Sequence, residues 1–404
     1  MPPSGAPRIY SENVLIDAMP RGVASCNVSD PLRLEWAQRS PYSIHWDITN
    51  ICNYKCRHCA ANSRCLSEPS EMPLDEIRRV IENLKTARPV AINIFGGEPL
   101  LRKDILTILD LIQQNLRNSS TSLTTNGSQL RRYADDLLKR NIAITVSLDG
   151  ISADINDKVR GAGTYHQIAA NLSYLAARKK ELKDSTSRIS IAYTITSYSE
   201  EPSEIIRFCA NAGVDSLVIS AIIAQGSASR NKDLLIETQD LIGYIERLFL
   251  AMRDTTFPVD ASLAHPLFTK YFNAKYHADL AYTYAGCRAI SASFYLRPNG
   301  VFTACPATFP EDEAFKALEL WEPSLIDNRL EDILQDKSFQ QLSKLKNPGS
   351  YPNYTPCNEC CFAGSYCDPC WIDGYLGKST NHAMCSLVGA MLDDMHIEWR
   401  ANRT

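Results

Sequence analysis

From residue 42 to about residue 253 the chain alternates between two hydrophobic rhythms. Short β-branched runs, of the kind that fill strands, are separated by longer stretches whose apolar residues return at helical spacing. The runs predict strands over Ser43–Thr49, Val90–Phe95, Thr121–Thr125, Ile142–Leu148, Arg188–Thr196 and Ser216–Ile223. The stretches between them predict helices over Leu74–Thr86, Lys103–Leu116, Tyr133–Lys139, Tyr165–Leu182, Ser203–Ala212 and Leu234–Met252. Pro73 is read as the first helical residue of the first of these, with Asp75 and Glu76 in the turn where the helix dipole favours acids. Six strand–helix units in succession predict an α/β fold with a parallel sheet and right-handed crossovers. Six are too few to close an eight-stranded barrel, so the pattern points to an open, partial (β/α)6 barrel. Periodicity alone leaves a doubly wound sheet as the alternative.

Beyond residue 253 the rhythm breaks. "YLRPNGVFTACPAT" reads as a hairpin turning at Pro298, Asn299 and Gly300. A helix is predicted over Arg329–Lys344, then a cysteine-dense loop, "CNECCFAGSYCDPCWIDG", and an amphipathic helix near Ser386–Trp399. The predicted organisation is an N-terminal extension (1–41), the partial barrel (42–253) and a smaller, irregular, cysteine-rich C-terminal domain (254–404). A domain that irregular commonly draws stability from metal.

Composition narrows the function classes. The chain of 404 residues is 45% hydrophobic and 22% charged, as expected of a globular protein. A formal net charge of -4 gives no electrostatic reason to expect a nucleic acid or an anionic membrane as partner. No apolar run approaches the roughly 20 residues needed to span a bilayer, and the N-terminus lacks the basic and apolar regions of a signal peptide. The expected location is the cytoplasm, where thiols stay reduced. Fourteen cysteines there argue for metal ligation or catalysis over disulfides.

The candidate chemistry gathers at one edge. In parallel α/β folds, function sits at the C-terminal ends of the strands. Cys52, Cys56 and Cys59, spaced C-x3-C-x2-C, follow the first predicted strand. "FGGEP" (Phe95–Pro99) ends the second, "TTNG" (Thr124–Gly127) the third and "SLDG" (Ser147–Gly150) the fourth. Three thiolates hold three corners of a [4Fe–4S] cube and leave one iron open, the mark of a catalytic site. Structural zinc is the competing reading, with His58 or Cys65 as a fourth ligand.

The three-cysteine loop and "GGEP" together resemble the radical S-adenosylmethionine (SAM) superfamily over about residues 42–225. The resemblance implies that Cys52, Cys56 and Cys59 bind a [4Fe–4S] cluster whose unique iron is chelated by the amino and carboxylate groups of SAM. It also implies one-electron cleavage of SAM and hydrogen abstraction from a substrate by the 5'-deoxyadenosyl radical. Gly96, Gly97 and Glu98 would receive the SAM ammonium, the glycines by letting backbone carbonyls approach. Ser147 and Asp149 are placed to meet ribose hydroxyls or the SAM carboxylate, and Arg160 could pair that carboxylate as a planar fork; a surface arginine is the plainer alternative. Asn126 and Gly127 either contribute to the site or only end a strand. His58 occupies a position where the family usually has an aromatic that packs on the adenine, and is read as a packing residue. Cys65, Cys26 and Cys209 are read as packed thiols.

The C-terminal region resembles the SPASM domain, which carries auxiliary iron–sulfur clusters. Cys287, Gly300 and Cys305 match its opening; Cys357, Cys360, Cys361, Cys367, Cys370 and Cys385 match the rest with one residue shifted, so Cys360 and Cys361 compete as ligand. The resemblance implies two auxiliary clusters: a distal one on Cys357, Cys360, Cys367 and Cys385, and a nearer one on Cys287, Cys305 and Cys370, open at one iron or completed by Cys361. A zinc ribbon is the alternative, with cysteines to spare.

For the substrate, the resemblance implies a peptide or protein undergoing oxidation, crosslinking or epimerisation. The alternative is a small molecule, a sugar or aminocyclitol, undergoing dehydrogenation or epimerisation in natural-product biosynthesis. A non-catalytic iron–sulfur or zinc scaffold would not need "GGEP" beside an open cysteine loop. An external electron donor such as flavodoxin or ferredoxin is expected. The stretch before the first strand is expected to be too short for a fused leader-peptide-binding domain, so a separate binding protein would serve. Cys361, Cys65, Tyr282 and Tyr284 are the candidates for quenching a substrate radical.

Overall fold

The computed structural model describes residues 42–60, 71–261, 266–278, 292–303, 305, 322–344, 357–360 and 380–400. Its first strand, Ser43–Asp47 (β1), shows the principle of the whole sheet. Ile44 and Trp46 are fully buried, as is Ile48 just beyond, whereas His45 and Asp47 alternate to the opposite face.

The units that follow are α1 (Leu74–Leu84), β2 (Ala91–Phe95), α2 (Ile105–Asn115), β3 (Ser120–Thr125), α3 (Leu130–Lys139) and β4 (Ala143–Ser147). Two helices come next, α4 (Ala153–Arg160) and α5 (Thr164–Glu181), then β5 (Ile189–Ile195), α6 (Pro202–Asn211), β6 (Ser216–Ala221) and α7 (Thr238–Arg253). The chain continues through β7 (Val259–Ala261), α8 (Pro266–Tyr276), β8 (Ser293–Leu296), β9 (Phe302–Thr303), α9 (Leu330–Gln335), α10 (Lys337–Lys344) and α11 (Thr380–Asp394).

All nine of these strands lie in one sheet, ordered β7-β6-β5-β4-β3-β2-β1-β8-β9. Every pairing from β7 to β8 is parallel, and only β8 and β9 are antiparallel. The six expected strand–helix units are therefore present in an open partial barrel, and the doubly wound order is absent. The expected hairpin forms too, with Gly300 at φ +79 in its turn. Its first strand pairs with β1, Ser43 against Ser293 and Trp46 against Leu296, so the sheet grows past its own first strand.

Parallel strands covered on both faces read as continuous apolar runs. Here they alternate. Leu123, Ile144, Val146, Ile191, Tyr193 and Phe294 are buried under the helices. Their neighbours Ser122, Thr124, Thr145, Ser147, Ser190, Thr194 and Tyr295 are only partly covered. The concave face of the partial barrel is thus lined with hydroxyls, and the helices cover the other face alone.

The differences from the sequence expectation have local causes. Pro73 is the cap residue of α1, with extended backbone (ψ 161), not its first helical residue. α4 is an additional helix, too polar to announce itself by apolar spacing. The turn Lys232–Leu234 keeps α7 from starting before Thr238. The helix expected over Arg329–Lys344 breaks at Asp336, whose ψ of 144 is extended. α11 begins at Thr380 and ends at Asp394, with Trp399 folding back so that its indole donates to Asp393 at 2.9 Å. Among the described residues no helix is long and apolar enough to cross a membrane.

Candidate functional site

The loop that leaves β1 is built to hold its cysteines from several sides. Cys52 is buried; the Tyr54 amide donates to its Sγ at 3.4 Å and the Asn126 side-chain amide at 3.7 Å. Asn126 also donates to Asn53 Oδ1 at 2.9 Å, tying the loop to the end of β3. Near Cys56, Arg160 brings Nη1 to 4.0 Å from the sulfur. The Cys59 carbonyl accepts from Ser227 N at 2.9 Å, in the turn after β6. A Cβ on Gly226 in that turn would stand 2.3 Å from the Ala60 carbonyl oxygen, so only glycine allows the approach. Arg57, between the second and third cysteines, donates to both carboxylate oxygens of Asp233 at 2.7 and 2.8 Å and to Asn231 at 3.2 Å.

"GGEP" serves this same loop. Gly97 N and Glu98 N donate to the carbonyls of Thr49 and Ile51, each at 2.7 Å. A Cβ on Gly97 would lie 2.1 Å from the Ile51 oxygen, and one on Gly96 would lie 2.4 Å from the Thr49 oxygen. The close backbone approach expected at these glycines is thus already made by the cysteine loop. Glu98 is fully buried and accepts from Thr125 Oγ1 at 2.7 Å, Asn126 N at 2.6 Å and Leu100 N at 3.0 Å. Burial pushes its carboxyl upward against these three donors. Its side chain joins the ends of β2 and β3.

At the fourth strand end, Asp149 has no exposed surface. Arg160 Nε lies 2.7 Å and His58 Nε2 3.2 Å from its Oδ2, while Thr194 N donates to Oδ1 at 2.8 Å. Burial pushes Asp149 up, but Arg160, His58 and the Thr194 amide together hold it below the usual carboxylate range. His58 therefore meets a carboxylate, and burial holds its imidazole below its ordinary range. Arg160 is buried, not a surface arginine. It ends α4, and the Asp157 carboxylate fixes the junction that follows, accepting from Gly163 N at 2.6 Å and Tyr165 N at 2.8 Å. Ser147 is half-buried at the end of β4, on the concave face.

That face carries residues the motifs did not flag. His45 stacks on Tyr295 at 4.8 Å and on Phe95 at 5.5 Å. Asp47, the last residue of β1, is pushed up to about 6 by burial, which Arg297 only partly offsets. The signal for them was available: a polar residue at every second position of an otherwise apolar strand. Arg57 and Gly226 carried none, because their partners lie some 170 residues away along the chain.

None of Cys52, Cys56 and Cys59 is in a disulfide bond. Burial pushes Cys52 upward and Cys56 to about 12. Left empty, the buried thiols keep their protons; a thiophilic metal displaces them. Among the described residues no group of three or more Cys, His, Asp or Glu side chains converges as a single ion would require. In a cubane each cysteine takes its own iron, so no common focus is needed. The donor set, with amides aimed at Cys52 and a guanidinium beside Cys56, fits a cluster.

Of the C-terminal cysteines, Cys305, Cys360 and Cys385 pack at the edge of the main core. Cys357 and Cys360 are neighbours: burial first, and then the second thiol, push Cys357 up to about 12. Cys360 bridges to Arg400 through the backbone. Cys209 is buried within α6. Cys287, Cys361, Cys367, Cys370, Cys26, Cys65, Tyr282 and Tyr284 lie outside the described residues.

Comparison with known proteins agrees with this geometry. Residues 46–209 match the Radical SAM superfamily. The chain is 29% identical over 206 residues to pre-heme d1 synthase of Dinoroseobacter shibae, covering 50% of this chain and 48% of that protein. It is 30% identical over 140 residues to the mycofactocin maturase MftC of Mycobacterium ulcerans, covering 34% and 37% respectively. The chain thus matches less than half the length of either relative. In fold it is similar to Streptococcus suis SuiB bound to its precursor peptide SuiA, with TM-score 0.65 and 18% identity, over 91% of this chain and 83% of that one.

Proposed function

We propose that this chain, an enzyme with a radical SAM domain at residues 46–209, modifies a peptide or protein substrate by hydrogen abstraction. The observation that carries the reading is the strand-end assembly: three cysteines outside any disulfide, backed by the GGE backbone, with amide and guanidinium donors directed at two of the sulfurs. Cys52, Cys56 and Cys59 would hold a [4Fe–4S] cluster. With SAM, that group supplies one-electron cleavage of the sulfonium and a 5'-deoxyadenosyl radical.

The chain's own residues do the rest. Gly96 and Gly97 lock the loop so that the cysteines keep their spacing. Asn126 and the Tyr54 amide stabilise the Cys52 thiolate. Ser147, open to the concave face, is the hydroxyl offered to SAM. The concave face receives the substrate, and burial of the strand ends keeps bulk water from the reacting carbon. A SPASM-type C-terminal region with auxiliary clusters would use Cys305, Cys357, Cys360 and Cys385 together with Cys287, Cys361, Cys367 and Cys370. The peptide reading draws support from the maturase among the relatives and the peptide-bound SuiB fold. Flavodoxin or ferredoxin would deliver the electron, and a separate protein would bind a leader peptide. The hydroxyl-lined concave face favours a second reading, dehydrogenation or epimerisation of a sugar or aminocyclitol.

Anaerobic incubation with SAM, dithionite and candidate peptides tests this. The expected products are 5'-deoxyadenosine and a peptide lighter by two hydrogens, or one of unchanged mass in ordinary water that gains a deuterium when the reaction is run in deuterium oxide. Turnover of a sugar or aminocyclitol but of no peptide would replace the first reading with the second. Reduced, fully clustered protein that never cleaves SAM would refute both.

A further inference from the structure

Between the cysteine loop and β4 lies a buried set of charges that the function above leaves without a task. The Asp149 carboxylate is held by three elements: Arg160 from the end of α4, His58 from the cysteine loop and the Thr194 amide from β5. Thr194 takes Oδ1; Arg160 and His58 share Oδ2. The guanidinium is used on two edges. Its Nε lies 2.7 Å from Asp149, and its Nη1 reaches 4.0 Å from Cys56 Sγ.

The order of these groups carries the argument. If the arginine served only to neutralise Asp149, its free edge could point anywhere. Instead the cation stands between the carboxylate and the sulfur. Both charges are buried, so solvent and salt screen them little. A planar fork suits this double use, because one rigid group meets two partners in fixed directions. The potential of an iron–sulfur cluster follows its charge surroundings and the hydrogen bonds to its sulfurs. Reduction adds a negative charge, which a nearby cation favours and a nearby anion opposes.

Resting on the reading of Cys52, Cys56 and Cys59 as cluster ligands, we propose that Arg160 and Asp149 set that cluster's reduction potential in opposite directions. Arg160 raises it through its positive charge beside Cys56. Asp149 lowers it, and at the same time aims the guanidinium at the sulfur. Both are positioning residues acting through Cys56.

The test uses the full chain with its clusters reconstituted anaerobically. Dithionite titration, followed by electron paramagnetic resonance, tracks the signal that changes when SAM is added. Arg160→Gln is expected to move the potential to more negative values, and Arg160→Lys, which keeps the charge, to stay closer to the unmodified protein. Asp149→Asn, of nearly the same shape, is expected to move it to more positive values. Structural damage alone does not produce shifts of opposite sign. Shifts in the same direction, or none, overturn the proposal. If Arg160→Gln does not fold, Asp149→Asn decides it: a shift to more positive values supports the proposal, and a negative shift or none overturns it. If the unmodified protein takes up no SAM-responsive cluster, the functional reading fails and this proposal falls with it; unmoved potentials in clustered variants sink this proposal alone.

Discussion

The two cysteine regions are built in different ways. In the loop after β1, every cysteine is braced by a distant part of the chain: Cys52 by Asn126 from β3, Cys56 by Arg160 from α4, Cys59 by Ser227 from the turn after β6. The described C-terminal cysteines instead lean on the rim of the hydrophobic core, and the close contact between Cys357 and Cys360 is local in sequence. The first region is a scaffold held together by contacts between distant parts of the chain. Among the described C-terminal residues, Cys357 and Cys360 meet across a short spacing, and Cys360 is tied to Arg400 by a backbone bridge. This difference teaches where substitutions will be felt.

The sharpest break should come from Cys52→Ala. It removes a proposed cluster ligand while leaving the C-terminal cysteines intact, so on the proposed function 5'-deoxyadenosine formation should vanish. The iron that the proposed auxiliary clusters would hold should persist, as iron and sulfide analysis would show. Loss of all iron would erase the independence of the two regions.

Gly97→Ala comes next. Its Cβ would meet the Ile51 carbonyl at 2.1 Å, a backbone atom that cannot swing away. The expected cost is more than about 3 kcal/mol of stability, read by denaturant unfolding, with loss of cluster uptake at the loop only.

Asp47→Asn should act in the other direction. The raised carboxyl, at about 6 against an ordinary 3.8, means that the folded protein holds this proton more tightly than the unfolded chain. The stability it contributes is full below about pH 4 and is lost as pH rises through about 6. The asparagine variant should therefore be more stable at pH 8, by about 3 kcal/mol, and show a flatter profile between about pH 4 and pH 6. Unfolding curves at pH 5.5 and pH 8 would check this.

The smallest effect on stability should come from Arg57→Ala. Its pair with Asp233 is exposed by 37% and 46% on the two sides, so less than about 1 kcal/mol is at stake. Cluster retention should suffer more, with about tenfold weaker hold on iron, followed by chelator-induced bleaching. If bleaching were unchanged, the bracing of the loop would not matter to the metal.

What the sequence disclosed about this site follows the range of the interactions involved. Six strand–helix units were legible because β-branched runs and helical spacing are local signals. The strand-end position of the cysteines and of "GGEP" followed from them. α4 escaped, since Ala153–Arg160 is mostly polar and its burial rests on Asn156, Val159 and Arg160. The placement of β8 beside β1 escaped because pairing across some 250 residues leaves no periodic trace. The approach of His58 to Asp149 escaped as well, because that partner is visible only once β4 and the loop are brought together. The glycines of "GGEP" were recognised for the right conformational reason, but the nearest backbone they admit is the chain's own.

The pairing of β1 with β8 also sets an order of birth. On the ribosome the cysteine loop emerges early, while β1 still has one side open, and Ser293–Leu296 follows only after some 230 further residues. Contacts so far apart in sequence form late. During that interval the first strand is an exposed edge that other chains can pair with. The hairpin that completes the sheet therefore also covers this edge, ending the interval in which another chain could pair with it.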